Sequence, residues 1–588
     1  MKLTPKKAGK ASRRVMAAAL VALSLPALTG CIDDKYDLSD VDTTVRVNVD
    51  NLTVPVNIDA VTLRSIFDLK SDSKVKEVDG AYAYVDNGDL HSSGIRVSPI
   101  HLPAPYVAPT TATVIIPDNP FGSSRKGRRY ASSLKVDFTG PGTTFTAEAD
   151  NVSTSISGIE RVGGSISLII KISLPQLQGN LRTLRLSNIR FNIPRGLTLS
   201  NTPGQYDPKT GVLTIPSLSA NGNAVSLTLT ATAIDASYTD LKFNEAAHHL
   251  SFSDRLALAS ATLTINPSDL STLSLPKTLS VRTDFTISDI DITTFSGLIN
   301  YDIEDFNVND VNITGLPDVL SQPGTDLRLV NPQIYFSISN PLSSLGLTAQ
   351  SGMAITSYAA DGQKVGVYSP DAPFFTIGRS ATNNYVMSPA MPSPVYPGFG
   401  TPEHIAYASL GNVLSGNGIP ARLSVAFNDT RVPRQQVKDF RLGYDYGNVQ
   451  GRYTIVAPLE FANGSKLLYT DALDGWSSED LDAVTIETLT VNAIVSTDLP
   501  VNLQLTGYPI DKEGRQINNV QIEGATVNAG AQNQQIAIRI TGQIRNLDGI
   551  RFTALVTPGQ QTAPLAPDMN ITLTNIRPVV SGYYQKEL

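Results

Sequence analysis

Alternation of apolar and polar residues at a period of two, renewed between turn signals along most of the chain, is the feature that most limits what this sequence can become. It is explicit in Val45-Arg46-Val47-Asn48-Val49, Ser165-Ile166-Ser167-Leu168, Ser226-Leu227-Thr228-Leu229-Thr230, Ala537-Ile538-Arg539-Ile540 and Asn570-Ile571-Thr572-Leu573. Successive side chains of a strand point to opposite faces, so each run has one face to bury and one to leave wet. Between the runs stand residues whose backbone suits a reversal, as in Asp207-Pro208-Lys209-Thr210-Gly211, Asp361-Gly362, Asp511-Lys512-Glu513-Gly514 and Asp548-Gly549. Closely spaced strands without intervening helices predict an all-β chain of several tandem antiparallel β-sandwich modules, immunoglobulin-like in size. Helical patterns are few and short, at 59–69, 408–414 and 477–483, the last opened by Ser477 with Asp480 three residues on.

A chain of 588 residues exceeds what one core organises, so several modules are expected. A loose pattern, apolar-Pro-x-x-Leu-x-(Val or Leu), occurs at Ile193-Pro194, Leu275-Pro276, Ile419-Pro420 and Leu499-Pro500. Proline suits the first position of a strand, where no ladder donor is needed, and the residues at +3 and +5 then share a face. The reading divides the chain into a leader at 1–30, an acidic tether at 31–44, an N-terminal β domain at 45–140, a β-sandwich region at 141–295, an enlarged central sandwich region at 296–475 and a C-terminal sandwich at 476–588.

The first residues read as an address. Lys2, Lys6, Lys7, Lys10, Arg13 and Arg14 precede an apolar stretch at 15–28, too short to span a bilayer, and the stretch ends in Leu28-Thr29-Gly30-Cys31. This resembles the lipobox of bacterial lipoproteins, in which a diacylglyceryl group is placed on the cysteine and the leader is cut just before it. The resemblance implies lipidation at Cys31, with acyl chains such as palmitate. Cys31 is also the only cysteine, so neither an internal disulfide nor a cysteine metal site is available. Two or three acyl chains, at roughly 0.8 kcal/mol per buried methylene, give stable attachment where one chain does not.

Cys31-Ile32-Asp33-Asp34-Lys35 is followed by Asp37, Asp40 and Asp42. Acidic residues at this place resemble the surface-export signal of Bacteroidota lipoproteins, which implies display on the outer face of the outer membrane with Asp33 and Asp34 as the signal. A solvated linker kept extended by its acids is the plainer reading of the same residues. Asp42-Thr43-Thr44 resembles an O-glycosylation site of that phylum. Further on, Leu329 to Pro341 resembles the strand-then-Asn-Pro pattern of late-embryogenesis-abundant type sandwiches, which implies only a seven-stranded sandwich.

Loss of residues 1–30 removes six basic residues and no acids, leaving 40 basic against 53 acidic side chains, a net charge of about −13. Such a surface repels phosphates and anionic headgroups, so nucleic acid is not an expected partner. No nucleophile elbow, phosphate-binding glycine loop, dinucleotide fingerprint or zinc helix motif is present. Of the five histidines only His248 and His249 are adjacent, and neighbours on a strand face opposite ways. The acids Asp289, Asp291, Asp302, Glu304 and Asp305 are not spaced like a calcium loop or a glycosidase pair. No catalytic residue, metal or cofactor is therefore assigned.

Two features could serve binding. Trp476, the sole tryptophan, offers a platform for sugar stacking, or else packs over the turn that follows it. Arg125, Lys126, Arg128 and Arg129 form the one basic cluster after the leader, suited to proteolytic processing or to an anionic partner, or else a plain surface loop. Tyr444 and Tyr446, two residues apart, read as a packing pair on one strand face. The expectation is a non-catalytic, lipid-anchored surface protein with a structural or adhesin-like role, partnered through its lipid with the outer membrane and at the cell surface with a glycan or a protein. Polysaccharide capture is the first alternative. A fimbrial component is the second, because the Arg125 to Arg129 loop resembles the arginine processing sites of lipoprotein pilins in the same phylum. Replacing Cys31 by Ala should abolish incorporation of labelled fatty acid, since no other thiol exists; label retained on the variant would refute the anchor.

Overall fold

The computed structural model describes residues 44–53, 60–122, 132–304, 307–308, 310–368, 373–416, 418–475 and 484–587. Strands account for 60% of it and helices for 4%, which settles an all-β architecture of several antiparallel sheets. The alternation reads out as burial. In the strand Ala224–Asp235, Val225, Leu229, Ala231 and Ala233 are buried while Ser226, Thr228 and Thr232 are exposed. The one α-helix among the described residues is the short Leu63–Phe67, capped by the hydroxyl of Thr62, which accepts from the N–H of Ser65 at 3.3 Å. A 3-10 turn covers Ala408–Asn412, and 477–483 lies outside the described residues.

Five sheets make up the fold. In the first, Thr44–Thr53 pairs with Asn570–Glu587, which continues to Val484–Thr497, Gln534–Ile544 and Val520–Glu523. Gly549–Pro558 and its neighbours Leu467–Leu473, Val501–Ile510 and Ala525–Val527 form the sheet opposite. Ile486, Leu489, Ile540, Ile544 and Ile550 fill the space between the two, and we call this pair the terminal sandwich.

A seven-stranded sheet centred on Ala81–Gly94, Asn448–Pro458 and Gln333–Ser339 belongs to the middle sandwich. It meets Ile290–Asp302, Arg422–Arg441, Ala349–Tyr358 and Phe374–Ile377 of a twelve-stranded sheet. Rings mark the contact: Phe336 on one side stands edge-on to Phe375 on the other at 5.3 Å, and Tyr385 and Phe427 pack on Phe375 at 5.3 and 6.3 Å. The Tyr385 hydroxyl donates to the Thr376 carbonyl at 2.6 Å, and burial pushes its pKa up to about 12.

The remaining strands of the twelve-stranded sheet, including Ile156–Ser173, Ala224–Asp235 and Thr278–Ile287, face a second seven-stranded sheet built on Thr183–Asn192 and His249–Ile265. This is the inner sandwich. Ile156–Ser173 joins it to the middle one, because the first part of one edge pairs with Ile290–Asp302 and the last part with Thr278–Ile287.

Sheet membership partitions the chain differently from the linear boundaries expected above. The stretch 45–140 places strands in four sheets, from Thr44–Thr53 in the terminal sandwich through Ala81–Gly94 in the middle one to Thr110–Ile115 and Leu134–Phe138 in the inner one. The chain then returns through the middle sandwich and ends in the terminal one, so each sandwich is inserted into the next. Local periodicity specifies that a strand forms but not which distant strand it pairs with, and pairing is what defines a sandwich. The proline pattern keeps its local meaning. Pro276, Pro420 and Pro500 stand one or two residues before Thr278–Ile287, Arg422–Arg441 and Val501–Ile510, and Pro194 three before Leu197–Asn201. Leu279 and Val281 are buried as the +3 and +5 positions require.

Middle and terminal sandwiches are joined by main-chain bonds. Tyr82 N–H donates to the Leu565 carbonyl at 2.8 Å, Leu565 N–H to Leu459 at 3.0 Å, and Leu459 N–H to Tyr82 at 2.8 Å. Phe336→Ala should cost about 3–5 kcal/mol of the stability of the middle sandwich, because the ring is enclosed on all sides and its removal leaves a cavity. Denaturant unfolding checks this; an unchanged midpoint would mean that the ring is not in a packed core.

Candidate functional site

Cys31, Asp33, Asp34, Arg125, Lys126, Arg128, Arg129 and Trp476 all lie outside the described residues. The other residues singled out by the sequence can be placed, and the structure distributes them.

His248 and His249 part company, though not as neighbours on one strand. His248 adopts a positive φ of 49° in the turn after Asp240–Asn244, whereas His249 opens the strand His249–Ile265. Its Nδ1 lies 2.9 Å from Asp150 Oδ1 and its Nε2 4.0 Å from Glu148. Those acids end the neighbouring strand Gly142–Ala149 or follow it directly, with Ser251 paired to Glu148. A groove of about 810 Å³ runs over this turn, lined among others by Lys242, Phe243, Glu245, His249 and Ser251. Arg434 of the middle sandwich bridges to it, donating to Glu245 at 3.1 Å and to the Ser157 carbonyl at 3.2 Å. The groove thus holds the His249 imidazole tied to the Asp150 carboxylate. Among the described residues no group of three His, Cys, Asp or Glu side chains is arranged to hold a metal.

The acids at 289 and 291 do not meet those at 302 and 304 as a pair; each is used locally. Asp289 accepts from Ala104 N–H at 2.8 Å and so fixes the proline-rich segment after Ile100–Leu102. Asp291 stands opposite His101 in the ladder and bonds its Nδ1 at 2.7 Å. That hydrogen bond, reinforced by the charges of Asp291 and Asp289, raises the His101 pKa above 6.5. Asp305 is outside the described residues.

Ser388 and His404 are in contact at 3.1 Å, but Ser388 is wholly buried and its hydroxyl donates to the Ala390 carbonyl at 2.7 Å. A substrate has no route to it, and the bond serves the parallel pairing of Thr382–Ser388 with Glu403–Ala406. Tyr444 and Tyr446 are not on a strand, which corrects the sequence reading. They occupy the turn between Arg422–Arg441 and Asn448–Pro458, where Gly443 takes a φ of 72°. The rings do pack, edge-on at 4.9 Å, with the Arg441 guanidinium 4.1 Å from Tyr444 and the Tyr446 hydroxyl accepting from Arg441 N–H.

Protonation of His101 favours the fold at low pH: with a folded pKa above the unfolded one, the contribution is complete below the unfolded pKa and is lost as pH rises through the folded value. Titration of His101 by NMR should give a midpoint above 6.5, and Asp291→Asn should bring it down. Equal midpoints in both proteins would show that the pair does not form in solution.

No family model matches the chain, and no curated protein matches it. Among solved structures it is similar to a protein of Parabacteroides distasonis described provisionally as secreted, with 12% identity, a TM-score of 0.36, and coverage of 49% of this chain and 89% of that one. A lesser likeness is to a structure of Broad Bean Stain Virus, with 11% identity and a TM-score of 0.13 over 50% of this chain and 90% of the other. At scores this low neither bears on what this chain does.

Proposed function

We propose that the protein is a lipid-anchored surface protein of the bacterial outer membrane, facing outward, with a structural or interaction role and no catalytic one. The observation that carries the reading is the sole cysteine, Cys31, at the end of a lipobox-like leader and ahead of an acidic tether. The fold is compatible in a specific way. Twelve residues, 32–43, separate Cys31 from the strand Thr44–Thr53, a reach of at most about 40 Å. The anchored end therefore enters the terminal sandwich, and the inner sandwich is the one farthest from the lipid along the nested path. A non-catalytic role is supported by the sequence, which carries no nucleophile elbow, phosphate-binding glycine loop, dinucleotide fingerprint or zinc helix motif.

Glycan capture is the second reading, favoured by the open grooves on the seven-stranded sheet of the inner sandwich. Replacing Asp33 and Asp34 by Ala should abolish protease access to the protein on intact cells at equal expression. Undiminished access would leave these acids as linker and remove the basis for outward display through them.

A further inference from the structure

A second groove of the inner sandwich, of about 490 Å³, lies beside the one over His249 and differs from it in chemistry. Its walls come from the strand Gly142–Ala149, the strand His249–Ile265, the approach to Leu197–Asn201 and the turn before Asp240–Asn244. The residues that matter are Thr146, Arg195, Tyr238, Ser253, Asp254 and Arg255.

Asp254 is the support. Its side chain is only 9% exposed. One carboxylate oxygen accepts from Arg195 N–H at 2.9 Å, from the Thr239 hydroxyl at 3.0 Å and from Arg195 Nε at 3.4 Å, and the other accepts from Arg255 N–H at 2.8 Å. The acid is thus saturated by protein donors and neutralised by Arg195. Asp240, the other acid of the groove, is neutralised by Lys242 at 2.8 Å. That leaves Arg255 as the surplus charge, exposed, its guanidinium in no ion pair among the described residues. It lies over Gly142, where a Cβ would collide with it, so the absence of a side chain at 142 seats the guanidinium. Next to it, the Ser253 and Thr146 hydroxyls are linked at 3.2 Å and retain further bonding capacity, and Tyr238 lines the groove as a residue that is 37% exposed.

We propose that this groove binds a pyranose carrying a single carboxylate, a uronic or sialic acid residue of a glycan. Arg255 takes the carboxylate through its planar fork, the Tyr238 ring takes the apolar face of the sugar, and the Thr146 and Ser253 hydroxyls bond its hydroxyls. A net charge of about −13 after loss of the leader disfavours a densely charged polyanion, so the fit is to one acid group on an otherwise neutral chain. The site deepens the glycan-capture side of the proposed function, on which it rests, and is separate from Trp476, which the sequence offered either as a sugar platform or as a packing residue.

Calorimetric titration of the full mature chain with a galactotriose bearing one terminal glucuronate, with sialyllactose, and with neutral galactotriose and lactose tests it. One of the two acidic sugars should bind at least tenfold more tightly than its neutral counterpart, and the arm that binds identifies the acid. Arg255→Gln should weaken that binding at least tenfold without moving the melting temperature, Arg255→Lys should recover part of it, and Gly142→Ala should weaken it by displacing the guanidinium. Equal affinity for acidic and neutral sugars, no binding at millimolar concentration, or an Arg255→Gln variant that binds like the parent would overturn the proposal. Surface display is read separately on cells, so loss of either result leaves the other standing.

Discussion

Main-chain pairing between the two ends of the chain is the constraint on which the rest of the architecture hangs. Thr44 lies opposite Glu587 and Val49 opposite Gly582, so the first described strand and the last run side by side. Everything else is strung between them. Side-chain burial contributes little to this closure: Val45, Arg46, Asn48 and Asp50 are exposed, and Val47 and Val49 are half-buried. The strand is held by its ladder of hydrogen bonds, helped by the Arg46 guanidinium, which sits 3.6 Å from the Tyr583 ring centre and 3.5 Å from Glu487. With Cys31 the only cysteine, no disulfide can take over this task.

Below that closure, stability comes from burial. A single buried cluster runs through the inner and middle sandwiches and reaches Val495, Leu499 and Val501 of the terminal one. Long strands make this continuity possible, since Ile156–Ser173 and Arg422–Arg441 each take partners in succession along their length. The three sandwiches are thereby less independent than beads on a string, and a cavity opened in one is felt where the shared sheet crosses into the next.

Strand after strand was legible in the sequence, because alternation and turn residues are local quantities: the segments around Ser165, Ser226 and Ala537 are strands with the faces expected, and Asn570–Leu573 is a strand whose residues are half-buried on both faces. Thr62 and Pro276 also did locally what their chemistry dictates. Partnership was not legible. Nothing near Thr44 announces that its neighbour is 543 positions away at Glu587. The same limit applies to the grooves, whose walls bring together Thr146, Arg195, Tyr238 and Arg255 from four separate stretches. Tyr444 and Tyr446 were misplaced for a smaller reason, since two aromatic residues at i and i+2 satisfy a strand pattern as well as a turn reversed at Gly443. Gly142 carries no signal in the sequence, and only the Arg255 guanidinium lying over it gives it a meaning.

Nesting also imposes an order of events on synthesis. A chain made from its N-terminus delivers Thr44–Thr53 first and Asn570–Glu587 last. The opening strand must therefore wait, its donors and acceptors satisfied by water, while the other sandwiches are delivered. The inner sandwich, contiguous in sequence, can close early; the middle one closes next, and the terminal one only when the final residues arrive. A strand with exposed Arg46, Asn48 and Asp50 on one face is suited to that wait, because a more apolar edge would find other strands to pair with before its own partner appeared.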